Sequence, residues 1–520
     1  MAQTAAVMGL NATGPQDKYL FDEDAKTWRP NVRQYTHFTK FHRTTYPQVN
    51  KFVGQTVEFT FKPKELGDLW HNAYLALTLP QLPSSYGGSD GNFSLYTITG
   101  DGTTSTAVTL AEHTLVTGQT VTISGGYIST GAQSWALSPY SGQTVVVTVV
   151  NATTFTFSSS IATSVATGGY ITIKKQNYSL CPQIGRALIE HIEFRIGQEI
   201  IEKIDDNWYI IRDQLFLDAD EKLAMYKATN GGLNETQSCP TTQSIDLMIP
   251  LELFFCRRHS FVDPNRELIE TPPLPVCALK ENISIKFFFR PQGWFTDYPN
   301  PIEFSNVRMI TEEIILTDEE RLYYQTKPQR FVINQAWSNP TITYSNGTAT
   351  QNFTANFPIT MMCWFIRNKG YEVASSNVTQ RFNFGYYSPY ATAANSLVYF
   401  NGATVGYIDT ISTCQIFLNG RDVTGTFGTG PFFQYKQPMD HELTTPLNSI
   451  YTYCFGKTPK YYNQGGYMNF ENIDSQASKI NINFKPEYIK DIGASYNFYI
   501  YYYGYQVLTV SNGRVILFYK

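Results

Sequence analysis

Three elements recur in the same order in the two halves of the chain, and this constrains the fold more than any other feature. In the first half, IEFRIGQEI (192–200), a strand-like run into a glycine turn, is followed by LELFFCR (251–257) and NISIKFFFRP (282–291). In the second half, QIFLNGRDV (415–423) is followed by SIYTYCFGK (449–457) and KININFKP (479–486). Cys256 precedes Ile283 by 27 residues and Cys454 precedes Ile480 by 26. A period this long excludes a solenoid and predicts one β-fold present twice.

The segments themselves read as strands. VEFTF (57–61), YLALTL (74–79), HIEFRI (191–196), LELFF (251–255), ISIKFFF (283–289), MMCWFI (361–366), CQIFL (414–418), ININF (480–484) and NFYIYYY (497–503) are short and aromatic or β-branched. Gly, Pro or Asn bounds them, as strand punctuation does. Helix signals are few. DDNWYIIRDQL spaces Trp208, Ile211 and Leu215 on one helical face behind Asp205 and Asp206, which suit an N-cap and first turn. TDEERLYYQ offers Thr317 and Glu320 as a capping box. Many strands with short helices on their connections predict sandwiches rather than a doubly wound sheet.

A compositional break falls at 88–176, which is nearly free of charge and rich in Thr, Ser, Gly and Val. It separates LALTLPQLP from IGRALIEHIEF, which look like consecutive strands of one domain, so it reads as an inserted β-rich module. Loops accept such insertions because closure entropy grows only logarithmically with length.

The 520 residues are 16% charged, against roughly 25% in an average soluble protein. Low charge with abundant Tyr and Phe suits a surface covered largely by neighbours. The net charge of −4 argues against a whole-protein nucleic-acid footprint. Lys40, His42, Arg43 and Lys51 cluster near the N-terminus and read as a solvated or subunit-contacting arm. The seven cysteines (181, 239, 256, 277, 363, 414, 454) are scattered, and most sit in apolar runs, where a thiol behaves as a small hydrophobe. MAQTAAVMGLNATG has neither a basic n-region nor an adequate apolar core, so no signal peptide is read there. No window approaches ~18 consecutive apolar residues, so no membrane-spanning helix is expected.

Candidate chemistry centres on Ala187–Leu215, which holds Glu190, Glu193, Glu199, Glu202, Asp205, Asp206 and Asp213. Each has a mundane expected place. In strand geometry Leu188, Ile192, Phe194 and Ile196 share one face and His191, Glu193 and Arg195 the other. Glu190 falls at the rim, while Glu199, Glu202, Asp205 and Asp206 fall in the turn and at the helix start. His37 and His42 are spaced i, i+5, a poor metal signature. DGTTST (101–106) and NGRDVTG (419–425) read as turns rather than phosphate loops, and Arg257, Arg258 and His259 as a solvated strand end. YIYYYGY (499–505) reads as core on one side and interface on the other. Sequons stand at Asn11, Asn92, Asn151, Asn177, Asn234, Asn282, Asn346, Asn352 and Asn377. None of this yields a catalytic, cofactor or metal residue, and no enzyme is expected.

An ordered set of stretches resembles a known family. It runs YTHFTKFHRTTYP (35–47), LGDLWHNAYLALTLP (66–80), IEHIEFRIGQEIIEKIDDNWYIIRDQL (189–215), IPLELFFCRR (249–258), LPVCALKENISIKFFF (274–289) and EEIILTDEERLYYQ (312–325). ITMMCWFIRNKGY (359–371), IFLNGRD (416–422), IYTYCFGKTP (450–459) and GGYMNFENIDSQASKININF (465–484) complete it. The chain is similar in these stretches to the major capsid proteins of nucleocytoplasmic large DNA viruses, the double jelly-roll type. The inserted module and the N-terminal segment depart from that pattern.

The resemblance implies an all-β fold of two tandem eight-stranded jelly rolls. It divides the chain into an N-terminal arm at 1–30, a first jelly roll at 31–316 interrupted by 88–176, a connecting helix at 317–326, and a second jelly roll at 327–520. It implies a homotrimer that forms a pseudo-hexameric capsomer in the icosahedral shell of a virion, made in the host cell cytoplasm. Implied partners are neighbouring capsomers, minor capsid and penton proteins, and an inner membrane touched by the arm, with no specific nucleic acid, small-molecule substrate or cofactor. The competing readings are a β-sandwich carbohydrate- or receptor-binding virion surface protein, and a glycoside hydrolase, which needs two convergent carboxylates ~5–10 Å apart.

Overall fold

The computed structural model describes residues 37–519 apart from 83–90, 114, 116, 118–119, 132–133, 174–179, 232–242, 257–270, 299, 346, 370–398, 401–402, 405–410, 426–427, 447–448, 461–464 and 485–494. The arm at 1–30, Cys239, Arg257, Arg258, His259 and the sequons at Asn11, Asn177, Asn234, Asn346 and Asn377 lie outside the described residues. The chain forms two compact units: Met1–Pro80 with Leu180–Pro240 and Ile245–Lys520, and Gln81–Ser179 with Thr241–Ser244.

In the first unit the strands alternate polar and apolar residues, as β2 shows with every second side chain buried. Its first eight strands are β1 (Phe38–Thr45), β2 (Thr56–Phe61), β3 (Leu69–Leu79), β4 (Ile189–Ile196), β5 (Glu199–Asp205), β6 (Ile245–Pro250), β7 (Ile283–Phe289) and β8 (Ser305–Leu316). They form two four-stranded antiparallel sheets, β1-β8-β3-β6 and β5-β4-β7-β2. Setting aside five short strands among the described residues, the eight that form the main sheets of the second half are β9 (Gln329–Ser338), β10 (Thr348–Asn352), β11 (Pro358–Asn368), β12 (Ile411–Leu418), β13 (Arg421–Asp422), β14 (Tyr451–Cys454), β15 (Lys479–Phe484) and β16 (Tyr496–Ser511). Their sheets run β9-β16-β11-β14 and β13-β12-β15-β10. Adding eight to every label of the first pair gives the second. Short strands Ile342–Tyr344 and Arg514–Leu517 add to β16, and Met468–Asn469 to β11. The fold is all-β: two tandem jelly rolls.

Each roll packs aromatics between its sheets. In the first, Trp70 is fully buried, with its ring 5.1 Å from Phe61 and 5.3 Å from Phe255. In the second, Tyr502 meets Phe353, Phe357 and Phe470, and Trp364 stacks on Tyr451. Two helices, α1 (Asp206–Leu215) and α2 (Ala219–Asn230), lie between β5 and β6. The helix α3 (Asp318–Thr326) lies between β8 and β9, and Thr317 accepts the Glu320 N–H at 3.4 Å. The hydroxyl half of the expected capping box is therefore present. A full capping box occurs instead at Asp218 and Glu221, on a helix that periodicity did not signal.

Two expectations need correction. LELFF is not a strand: β6 ends at Pro250, and Glu252 adopts φ 51°, which strand geometry forbids. The matched cysteine spacing is thus no measure of the repeat, because Cys454 ends β14 whereas Cys256 follows β6 in a turn. Glu199 and Glu202 do not fall in a turn but in β5, because Gly197 at φ 62° and Gln198 complete the reversal alone, while Asp205 and Asp206 stand at the start of α1 as expected.

The second unit has its own core of Leu95, Ile98, Val121, Ile123, Tyr140, Val147, Phe155, Phe157 and Ile171. Its nine strands form one antiparallel system. Tyr170–Ile173 pairs with Thr120–Ser124 on one side and with Gly91–Ser94 on the other, which closes six of the strands into a ring, while Ala162–Thr167, Tyr127–Gly131 and Ser134–Leu137 branch from it.

Candidate functional site

The acidic stretch becomes the seam between the two rolls. Asp205, the last residue of β5, has extended φ/ψ, and its carboxylate accepts the Trp208 N–H at 2.8 Å, capping α1. The other oxygen accepts the Tyr501 O–H at 2.6 Å, from β16 of the second roll. Burial, reinforced by the Asp206 charge, pushes the Asp205 carboxyl up to about 6 despite these two bonds.

Aromatic stacking continues the seam. Trp208 lies 5.3 Å from the Tyr503 ring and 6.1 Å from Tyr501, both nearly parallel, and Phe216 meets Tyr503 edge-on. From β11, Arg367 donates to the Asn207 side chain at 2.6 Å. Gln335 of β9 donates to the Ile201 carbonyl at 2.7 Å. The C-terminal end of α1 leaves carbonyls without helical partners. Thr444 supplies its N–H to the Leu215 carbonyl at 2.8 Å and its hydroxyl to the Leu217 carbonyl at 2.9 Å. Lys460 reaches Asp218 at 2.9 Å. All ten residues of α1 are buried. A cleft of about 640 Å³ beside the seam is lined by residues of β5, Trp208, β9 and Tyr519.

The remaining acids of the stretch are structural. Asp206 pairs with Arg290, whose guanidinium lies 3.8 Å over the Trp294 ring. Asp213 is bound by Arg186 through two nitrogens at 3.1 and 3.3 Å, and a further Arg186 bond at 3.1 Å reaches Glu252, which also pairs with Arg212. Burial works against the Arg186 charge, but Asp213 and Glu252 outweigh it and hold its pKa above the ordinary value. Glu202 accepts the Phe254 N–H at 2.7 Å, which satisfies a donor exposed where β6 has ended. Glu193 is held by Arg195 at 2.7 Å, and Glu190 is exposed beside a register shift of β4 against β7.

The basic cluster lies on β1, whose register sets His42 opposite Glu312. Glu312 receives Lys40 at 3.5 Å, His42 at 3.7 Å and His71 at 3.1 Å; Arg43 pairs with buried Glu313 at 3.1 Å. Burial would raise the Glu312 carboxyl, yet bonds from His71 and Asn72 and the Lys40 charge hold it below the usual range. Lys51 is exposed. The two Asp-Gly and Asn-Gly segments are Asx turns. Asp101 accepts the N–H groups of Thr103 and Thr104, and Asp422 those of Thr424 and Gly425. Five of the described cysteines are buried free thiols, and Cys277 is partly buried, where burial pushes it up to about 12. Among the described residues no group of three or more His, Cys, Asp or Glu is arranged to hold a metal, and no helix is long and apolar enough to cross a membrane.

Of the YIYYYGY alternation the core side holds, with Tyr502 facing its own roll, whereas Tyr501 and Tyr503 on the other side are buried against α1 of the same chain. Sequence reasoning missed Arg186, Glu252, Arg367 and Thr444. Only Arg186 carried a signal, as a lone cation in the apolar run IGRALIE.

Comparisons with known proteins bear on both halves. A family model described as "Major capsid protein N-terminus" matches residues 145–310, and one described as "Large eukaryotic DNA virus major capsid protein" matches residues 320–515. The major capsid protein of Paramecium bursaria Chlorella virus 1 is 24% identical over 306 residues, 55% of this chain and 65% of that protein. Probable capsid protein 4 of Acanthamoeba polyphaga mimivirus is 22% identical over 207 residues, 39% of this chain and 38% of that protein. The matches thus span less than two thirds of either relative. Among solved structures, a subunit of the PBCV-1 virus capsid gives a TM-score of 0.59 at 16% identity, covering 95% of this chain and 99% of that one. The Faustovirus major capsid protein gives 0.59 at 10% identity, covering 93% and 92%. At such identities these structures speak for the fold alone.

Proposed function

The chain belongs to the major capsid protein family of large eukaryotic DNA viruses, and from that membership we propose that it is the wall-building subunit of an icosahedral virion shell. Three copies, each giving two rolls of one strand order, close into a capsomer of near-sixfold outline that tiles a flat facet. The observation that carries this reading is the label-for-label correspondence of the two pairs of sheets within one compact unit. The seam supports it, because a subunit that must present two rolls to its neighbours needs them held in one arrangement. Lateral contacts between many copies then sum to a stable wall though each is weak.

In this reading the chain divides into an N-terminal arm at 1–30, a first roll at 31–316 interrupted by the module at 88–176, a connecting helix at 317–326 and a second roll at 327–520. Its partners are further copies of itself, minor capsid and penton proteins, and an inner membrane approached by the arm. It works by contact rather than by catalysis. Light scattering on the purified protein tests this: the reading predicts the mass of three chains and larger assemblies on concentration. A species that stays at the mass of one chain at every concentration would contradict it.

A further inference from the structure

The inserted unit presents an outward face without the charge alternation found on the first roll. Ile98, Ala107, Val147, Phe155 and Ala166 are buried in its core, so their sequence neighbours on the same strands point outward. Strand register then lines up one outward row. Thr154 stands opposite Val108, Val108 opposite Thr97, Thr97 opposite Thr167, Thr167 opposite Tyr127, and Tyr127 opposite Leu137. The adjoining row is Thr148, Thr156, Thr106 and Thr99. At the end of the first row Tyr127 is 55% exposed and Leu137 is 61% exposed.

This face carries no charge. Across 91–173 the Asp, Glu, Lys and Arg residues are Asp101 and Glu112 alone. The Asp101 carboxylate is turned onto its own loop by the Thr103 and Thr104 N–H groups at 2.8 and 2.6 Å. By contrast, one row across the first roll reads Lys203, Glu193, Lys286, Glu58, an alternation of charge.

Chemistry narrows what could lie on a neutral face of threonine hydroxyls and valine methyls, with Val146 and Val150 exposed on either side of Thr148, beside an exposed phenol ring. A charged partner would lose hydration and gain no counter-charge. An apolar partner would leave the threonine hydroxyls without water or a replacement bond. A neutral sugar meets both demands. Its hydroxyls exchange hydrogen bonds with threonines, which still accept where the hydroxyl already donates, as Thr156 does to the Thr148 carbonyl and Thr167 to that of Tyr127, and its C–H face covers the Tyr127 ring, a rigid contact that costs little entropy. We propose that the outward row ending at Tyr127 and Leu137 is a binding face for a neutral oligosaccharide. The charge balance and the exposed ring on this face carry the proposal, which is independent of whether the rolls build a shell.

The test uses the full-length protein on immobilised oligosaccharides ending in glucose, galactose, mannose or N-acetylglucosamine, with sialylated and sulfated counterparts. At least one neutral sugar should be retained in preference to its charged form. Tyr127→Ala and Leu137→Ser, both at exposed positions, should each weaken retention by about tenfold, and Thr97→Lys should do so while leaving the melting temperature unchanged. Leu223→Ala, on α2, should bind as the parent does. Retention of no neutral sugar, or equal retention by all four variants, would overturn the proposal. So would loss of the parent's oligomeric state in Tyr127→Ala, which would mark the row as a contact between copies.

Discussion

Asp205 shows how one side chain ties local structure to the whole. It caps α1 and accepts from Tyr501, and burial beside Asp206 raises its pKa from 3.8 to about 6. The folded chain therefore holds this proton more tightly than the unfolded chain. The stability contributed is complete below about pH 4 and is lost as the pH rises through about 6, by roughly 3 kcal/mol. Asp205→Asn keeps the cap without the charge. It is predicted to melt with the parent near pH 4 and above it near pH 8, and two parallel melting curves would contradict this. Arg186 behaves differently, since it neutralises Asp213 and Glu252 in a site where it is itself 1% exposed. Arg186→Met should cost about 3–5 kcal/mol, read as a drop in denaturant midpoint. Arg186→Lys should recover little of that, because an ammonium cannot replace the planar fork. The sequence placed Asp205 correctly because capping is local. It could not pair Glu202 with Phe254 or Arg186 with Glu252, because those contacts depend on where distant strands end.

Elements were legible where their signal is periodic. The aromatic alternation of β16 gave its two faces, since a strand shows successive side chains to opposite sides. The run LELFF failed because short apolar runs have no readable period. Its Phe255 is needed against Trp70, and the chain delivers it through a turn at Glu252 rather than along a strand. Trp208→Ala should remove the stacked contact of α1 with β16 and cost about 3–5 kcal/mol, with the two rolls then melting in separate calorimetric transitions. A single transition at the parent temperature would sink that account of the seam. Gly504 supplies a second test on β16. A methyl group there would lie 2.0 Å from the Pro358 carbonyl oxygen, where a register shift brings β11 close. Gly504→Ala should therefore weaken the second roll, seen as a lower melting temperature.

At the scale of the molecule the repeat was visible in sequence, but its basis was not. The strand-turn-strand of β4–β5 and β12–β13 and the following β7 and β15 do correspond, while the middle element does not match residue for residue. Two rolls can share a strand order with little shared sequence, because the order is set by which faces must be buried. The second unit has a core of its own, which leads to a prediction. Deleting 88–176 should leave the oligomer intact by light scattering, whereas loss of the oligomer would make the module part of its construction. The central claim is that paired rolls build a threefold block. Class averages from electron microscopy of the purified protein test it most directly. The account predicts threefold particles with six lobes and a hexagonal outline; two-lobed single subunits, or particles without threefold symmetry, would contradict it.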